Sequence, residues 1–279
     1  MALFRDGICA TAAIALSCAA SGAQQREPSN LLDRAQSAVS TYINKLAEVH
    51  CTEDVVQAKV QPNGKTEKSI KTQYDYFVLL QGNGLDLQLA ESRLETIKAP
   101  QKQPPMLLTN GFSMLLLIFH PYYRAGFTFT PEGEEEIGGR LAARYHFAYI
   151  SGMRSPAALA LREREYPLNL QGSAWIDGDT GQPLRMDAEL QHPMTDIGLR
   201  SLRVHVEYAP ITTIPGNAVL STIADVDLET PRQHWRNSHA FQNYKLFSTD
   251  ATQDPNVKVH ANPAGAHGDS TQPNNEEKP

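Results

Sequence analysis

GSAWIDGDTGQPLRMDAEL, residues 172–190, is the stretch whose reading decides the fold. Asp177, Asp179 and Gly181 have the outline of a calcium loop, and Arg185, Asp187 and Glu189 that of a row of catalytic charges. Counted from Asp177, an EF-hand needs an oxygen ligand at its fifth position and a Glu at its twelfth; here those positions hold Gly181 and Ala188. What remains is a hairpin. Asp177-Gly178-Asp179-Thr180-Gly181 supplies the small and Asx residues of a tight reversal. On the second strand, alternation puts Leu184, Met186, Ala188 and Leu190 on a dry face and Arg185, Asp187 and Glu189 on a wet one. Those three charges then neutralise one another and their cross-strand neighbours.

The same period of two extends in both directions. Upstream, IGGRLAARYHFAYI places Leu141, Ala143, Tyr145, Phe147 and Tyr149 on one face, after RAGFTFT and a turn read at PEGEEE. Downstream, IGLRSLRVHVEYAPI alternates Leu202, Val204, Val206 and Tyr208, and NAVLSTIADVDLE and HWRNSHAFQNYKLF follow as strands. Nearer the start, CTEDVVQAKV and SIKTQYDYFVLLQ flank QPNGK, where Asn63-Gly64 tolerates positive φ: a long hairpin. Gly82-Asn83-Gly84 reads as a turn into the weaker strand signal of LDLQLAESRLETI. SPAALALREREYPLN is a loose connection with room for a helical turn.

Two segments break the period. Residues 30–49 carry Leu31, Ala35, Val39, Tyr42 and Leu46 at helical spacing, with Leu32, Ala38 and Ile43 widening the stripe. Asn30 is the candidate cap and Asp33 suits the positive end of the helix dipole. The polar face is not Lys/Arg-rich, so the helix is read as packed on a sheet. TNGFSMLLLIFHP is short enough to be helix or strand; a buried helix capped at Thr109 or Asn110 and stopped by Pro121 is favoured.

The ends carry other information. Arg5, the apolar run ICATAAIALSCAA and the small residues Ser21-Gly22-Ala23 form an export signal over residues 1–23. The run is shorter and more polar than the ~20 apolar residues of a membrane span. Cys18 in ALSC resembles a bacterial lipoprotein box, although Ala15 stands where such boxes carry Leu. The mature chain is therefore expected in the periplasm or secreted, or, if Cys18 is lipidated, held at a membrane through it. Residues 249–279 are polar and rich in Pro, Asn and Gly, with too little apolar surface to offset ordering, and are expected to be disordered. That leaves one domain over residues 28–248.

Composition and motif searches remove function classes. The net charge of −6 and the lack of a Lys/Arg cluster argue against nucleic-acid binding. There is no G-x-S-x-G, GxxxxGK[ST], HExxH or CxxC. Cys51 has no His marked as its partner and reads as a structural thiol. Glu132 and Glu134 to Glu136 read as a solvated turn. His234 and His239, five apart, fall on opposite strand faces; His146 and His205 lie on polar faces and could meet across the sheet. No metal or cofactor is expected.

The order of elements is a helix, strands, an inserted short helix and a long antiparallel meander. This predicts an α+β fold, a curved antiparallel sheet covered by the N-terminal helix and a second short helix. Tyr74, Tyr76, Tyr145, Phe147, Tyr149, Leu184, Met186, Val206 and Tyr208 share one face of their strands. They are candidates to line an apolar site, the alternative being a filled core.

The export signal, the leading helix before a long hairpin, and the succession GGRLAARYHFAY, GSAWIDGDTGQPLRMDAEL and LRVHVEYAPI together resemble the outer-membrane lipoprotein carrier (LolA/LppX-like) type of fold. The resemblance covers most of residues 30–210. It implies an unclosed half-barrel and, among the roles found in such proteins, carriage of lipids or lipoproteins and sensing of envelope stress. The expectation is a non-enzymatic envelope protein that binds a lipid or acylated protein; the alternative is an envelope protein-interaction or structural lipoprotein with a packed core and no ligand.

Overall fold

A computed structural model describes residues 28–81, 88–97, 111–161, 164–216 and 218–247. The segment read as an export signal, Cys18, the turn read at Gly82-Asn83-Gly84, the candidate caps Thr109 and Asn110 and residues 248–279 lie outside these residues.

Helix α1 spans Pro28–Ala47 and buries one stripe, Leu31, Ala35, Val39, Tyr42, Ile43 and Leu46. Burial of each large member contributes about 1.5–3 kcal/mol. The helix starts two residues earlier than its pattern predicts, so Asn30 is inside the first turn, where its Oδ1 accepts from Arg34 Nη1 instead of capping. Asp33 pairs with Arg124 Nη1 at 2.8 Å.

The strands are β1 (Val49–Val60), β2 (Thr66–Gln81), β3 (Gln88–Ile97), β4 (Phe127–Ile137), β5 (Arg140–Tyr149), β6 (Ala158–Leu161), β7 (Arg164–Pro167), β8 (Leu170–Asp177), β9 (Pro183–Leu190), β10 (Ser201–Pro210), β11 (Val219–Glu229) and β12 (His234–Leu246). Ten of them form one antiparallel sheet in the order β3-β2-β1-β12-β11-β10-β9-β8-β5-β4. It does not close: β3 and β4 are its two edges. The fold is α+β.

Register shows how alternation builds the covered face. Tyr145, Ala174, Met186, Val206, Ala224, His239, Val55 and Thr72 stand opposite one another on eight successive strands. The row is buried throughout, and from Tyr145 to Ala224 it belongs to the core shared with α1 and a second cover.

That cover is the run Phe112–Phe119, in which every residue from Ser113 to Phe119 is buried. The segment is helical, as favoured, but 3₁₀ and kinked at Met114 (φ −100°, ψ 17°). An eight-residue 3₁₀ stretch is long. Apart from Ser113 the segment is apolar all round and has no wet face to present, so burial rather than propensity holds it. The helix stops before Pro121, as expected. The proline holds His120 in extended geometry and itself opens a one-turn helix α2 (Pro121–Arg124), with His120 Nδ1 accepting from Tyr122 N.

Three other expectations are corrected. PEGEEE is strand: β4 continues through it with a bulge at Pro131/Gly133, and the reversal sits at Gly138 and Gly139, whose φ values are 56° and 78°. Proline, glycine and glutamates survive there because the strand is an edge, where a missing N–H faces outward. Residues 158–161 and 164–167 pair as the small antiparallel β6–β7 sheet rather than forming a helical turn. Leu184 leaves the covered face. Trp175 pairs with Arg185 and Ile176 with Pro183, so the bulge turns Leu184 outward onto Ala142 and Trp175.

The 177–181 turn is a hairpin tip fastened to α1. Asp177 Oδ1 accepts from Thr180 N, Thr180 Oγ1 and Asp179 N at 2.6, 2.8 and 3.0 Å, and Arg140 Nε lies 2.7 Å from its Oδ2. Burial pushes this carboxyl up, but those bonds outweigh it and hold the group below its ordinary range. Arg34 Nη2 donates to Gly178 O at 2.8 Å.

Candidate functional site

The covered face brings together most of the apolar residues that alternation selects. Tyr76, Tyr145, Phe147, Met186, Val206 and Tyr208 are all buried in the main core, Tyr149 packs against its margin, and Tyr74 is half-buried opposite Glu53. The 3₁₀ segment lies directly on them: Leu116 N donates to Tyr208 Oη at 3.3 Å, and Phe119 stacks on Phe129 at 5.1 Å between ring centroids. Beside Leu116 a cavity of about 260 Å³ remains. Its walls also include Ala38, Tyr42 and Lys45 of α1, Pro183 at the start of β9, and Pro215, Gly216, Ala218 and Val219.

At the β3 end of the same face sits a feature that motif searches missed. Glu53, fully buried, takes both Arg93 Nε (2.5 Å) and Nη2 (2.8 Å). Arg93 Nη1 reaches Glu91 Oε2 at 3.0 Å, and the guanidinium lies 5.1 Å from the centroid of the Tyr76 ring. His239 Nδ1 is 2.8 Å from Glu53 Oε1. Tyr76 Oη and Ser113 Oγ both donate to Glu91 Oε1, at 2.9 and 3.1 Å. The cluster thus joins four strands and the 3₁₀ cover.

Its electrostatics follow from burial. Desolvation pushes the Glu53 carboxyl up, yet hydrogen bonds from His239 and Arg93 win and hold it below its ordinary value. Tyr76 goes the other way: burial and the neighbouring Glu91 carboxylate drive its phenol well above the usual range. The signal in the sequence was parity. Glu53 falls between Cys51 and Val55 on inward positions of one strand, and Glu91 and Arg93 share a face two residues apart.

The other singled-out groups stay apart. His146 and His205 share a row but are separated by β8 and β9, so they do not meet. His205 bonds Asp187 and Glu207, while the nearest carboxylate oxygen to His146 is on Glu132, at 4.0 Å. His234 bonds Asp227 on the open face, and His239 lies on the covered face. Asp187 takes Arg185 along its strand and His205 across it, the neutralisation expected of that row. Arg185 and Arg144 both lie over the Trp175 ring, 4.3 and 5.4 Å from its centroid. Among the described residues, no three His, Cys, Asp or Glu side chains gather as metal ligands.

Cys51 is buried, and desolvation pushes its thiol up to about 12. Thiolate is the reactive form, so the Cys51 peptide is expected to stay unmodified by iodoacetamide in the native protein. Peptide mass mapping across a denaturant titration should show labelling that tracks unfolding. Prompt native labelling would contradict the packing around β1.

No family model matches the chain, and a search of curated proteins finds no match. Among solved structures, the chain is similar to a putative outer membrane lipoprotein-sorting protein domain from Vibrio parahaemolyticus (9% identity, 80% of this chain and 94% of that one, TM-score 0.38). It is also similar to a DUF1329 family protein from Desulfovibrio piger (12% identity, 80% and 94%, TM-score 0.37). A third is a LolA superfamily protein from Nitrosomonas europaea (8% identity, 76% and 94%, TM-score 0.33). The fold itself is an unclosed antiparallel sheet under a helical cover.

Proposed function

We propose that this is an exported envelope protein that holds the hydrocarbon part of a lipid or an acylated protein, without catalysis, on the covered face of its sheet. The observation that supports it most is the nature of the cover. A kinked 3₁₀ run, apolar except for Ser113, rather than a regular helix, fills the space over Tyr145, Phe147, Met186, Val206 and Tyr208, and it borders a cavity already present. At about 260 Å³ the cavity lies just below the ~300–1,000 Å³ of ordinary ligand sites, so a long chain must displace Leu116 and its neighbours. Export rests on the N-terminal segment read from the sequence.

The test is lipid analysis by mass spectrometry on protein recovered from the envelope under mild extraction, for the parent and for Ala38→Trp, which fills the cavity. Co-purified lipid is expected in the parent and severalfold less in the variant. Protein free of lipid that also fails to take up a fluorescent short-chain fatty acid would overturn the reading and leave an interaction protein with a packed core.

A further inference from the structure

Exposed apolar side chains are not spread evenly over the molecule. Seven large ones stand out among the described residues, and five of them, Leu79, Leu80, Leu141, Leu246 and Phe247, lie at the same end of the sheet. That end carries the finish of β2, β10 and β12 and the start of β1, β9 and β11. It is also where the cavity is walled by Lys45, Pro183, Pro215, Gly216, Ala218 and Val219. Ile150 and Met153 are at the opposite end, just past β5.

Four of the five form one corner. Phe247 N donates to Glu48 O, which fastens the end of β12 to the turn after α1. The Phe247 ring stacks on His50 at 5.3 Å and meets Phe77 edge-on at 5.7 Å, with Leu79 two residues further along the same strand face. Thr213 Oγ1 donates to Tyr244 O, which joins this corner to the loop that walls the cavity. Leu141 is set apart, opposite Glu136 on the acidic edge strand.

The charges at the corner favour one partner. The carboxylates of Glu48 and Asp75 are taken by Lys45 and His50. Lys245 is exposed beside Leu246 and Phe247. In a chain of net charge −6, the corner next to the cavity therefore presents, among the described residues, apolar side chains with Lys245 exposed beside them, while Glu48 and Asp75 are each held by a hydrogen-bonded neighbour. An anionic bilayer surface complements that combination. The chemistry of the proposed ligand points the same way, because every CH₂ of a chain carried through water is unfavourably exposed, and transfer directly from a bilayer avoids that exposure.

We infer that Leu79, Leu80, Leu246 and Phe247, with Lys245, seat this end of the molecule on an anionic lipid bilayer and set the cavity against it. The inference rests on the lipid-binding reading, and the two can fail separately. The experiment is flotation of the envelope-recovered protein, carrying Cys18→Ser, with vesicles of phosphatidylcholine alone or mixed with phosphatidylglycerol. Leu80→Ser/Phe247→Ser is compared with Ile150→Ser/Met153→Ser at the other end. Binding stronger on the mixed vesicles, reduced about tenfold by the first pair and unchanged by the second, is expected. Absence of flotation, or equal loss in both pairs, overturns the inference. So does a parent that sediments as a dimer broken by the first pair, since a second copy would then cover the corner. Uptake of a water-soluble short-chain fluorescent fatty acid, measured without vesicles, is expected to survive in both pairs. Its absence in the parent would count against the cavity reading alone.

Discussion

Replacing Glu53 by alanine is expected to lower stability by about 3–5 kcal/mol, because it leaves Arg93 and His239 buried without the carboxylate that both address. For a domain of this size the melting temperature should fall by on the order of 10 °C. Glu53→Gln keeps the shape and one acceptor and should fall between the two. The effect has a pH signature. The folded protein holds the Glu53 carboxyl below its ordinary 4.5, so its contribution is fully present above that value and is lost as pH falls through the lower, folded one. Denaturant titrations of parent and Glu53→Ala should therefore differ by a constant amount near neutrality and converge in acid. A gap that persists unchanged to the lowest pH at which the parent stays folded would show that the carboxylate is not what the cluster depends on.

Gly172→Ala is the second large effect. Gly172 sits within β8 where the backbone of β9 crosses close by: a Cβ there would lie 1.9 Å from Asp187 O and 2.8 Å from Ala188 Cα. Both obstacles are backbone atoms, so no side-chain rotation relieves them. The two strands must separate at the centre of the sheet, and Ala188 and Met186 lose their packing with them. A cost at or above the ~1–3 kcal/mol of ordinary overpacking is expected, seen as a lower denaturation midpoint with an unchanged slope. A melting curve that matches the parent would mean that β8 and β9 are farther apart than described. This glycine is needed for close approach, not for positive φ. Gly181, at the hairpin tip with φ 76°, combines both demands, since a Cβ there would stand only 2.6 Å from Arg34 Cβ.

Much of this fold could be read from alternation. The inward series through Tyr145, Phe147, Met186, Val206 and Tyr208 is as the pattern has it, and so is the hairpin at Asp177–Gly181, because each strand there has one wet and one dry side. Alternation failed where that asymmetry is missing. The outer half of β4 is exposed on both faces, so its glutamates carried no period and read as a turn. Leu184 was misplaced because a bulge shifts parity by one, and no local residue type announces it. The ionic cluster was hidden for a different reason. Glu53, Glu91, Arg93 and His239 are spread over 186 positions of sequence and meet only through strand order.

That strand order has a further consequence. β1 lies between β2 and β12, so the first strand of the chain is not enclosed until the last one arrives, and residues such as Val55 and His239 meet across nearly the whole domain. Contacts so distant in sequence form slowly, since the intervening chain must be ordered or looped before they repay its entropy. A chain emerging N-terminus first from a ribosome or through a membrane pore would hold its opening hairpin unsealed along one side. Completion of the seam waits for the residues up to Leu246, a delay that suits the export proposed above.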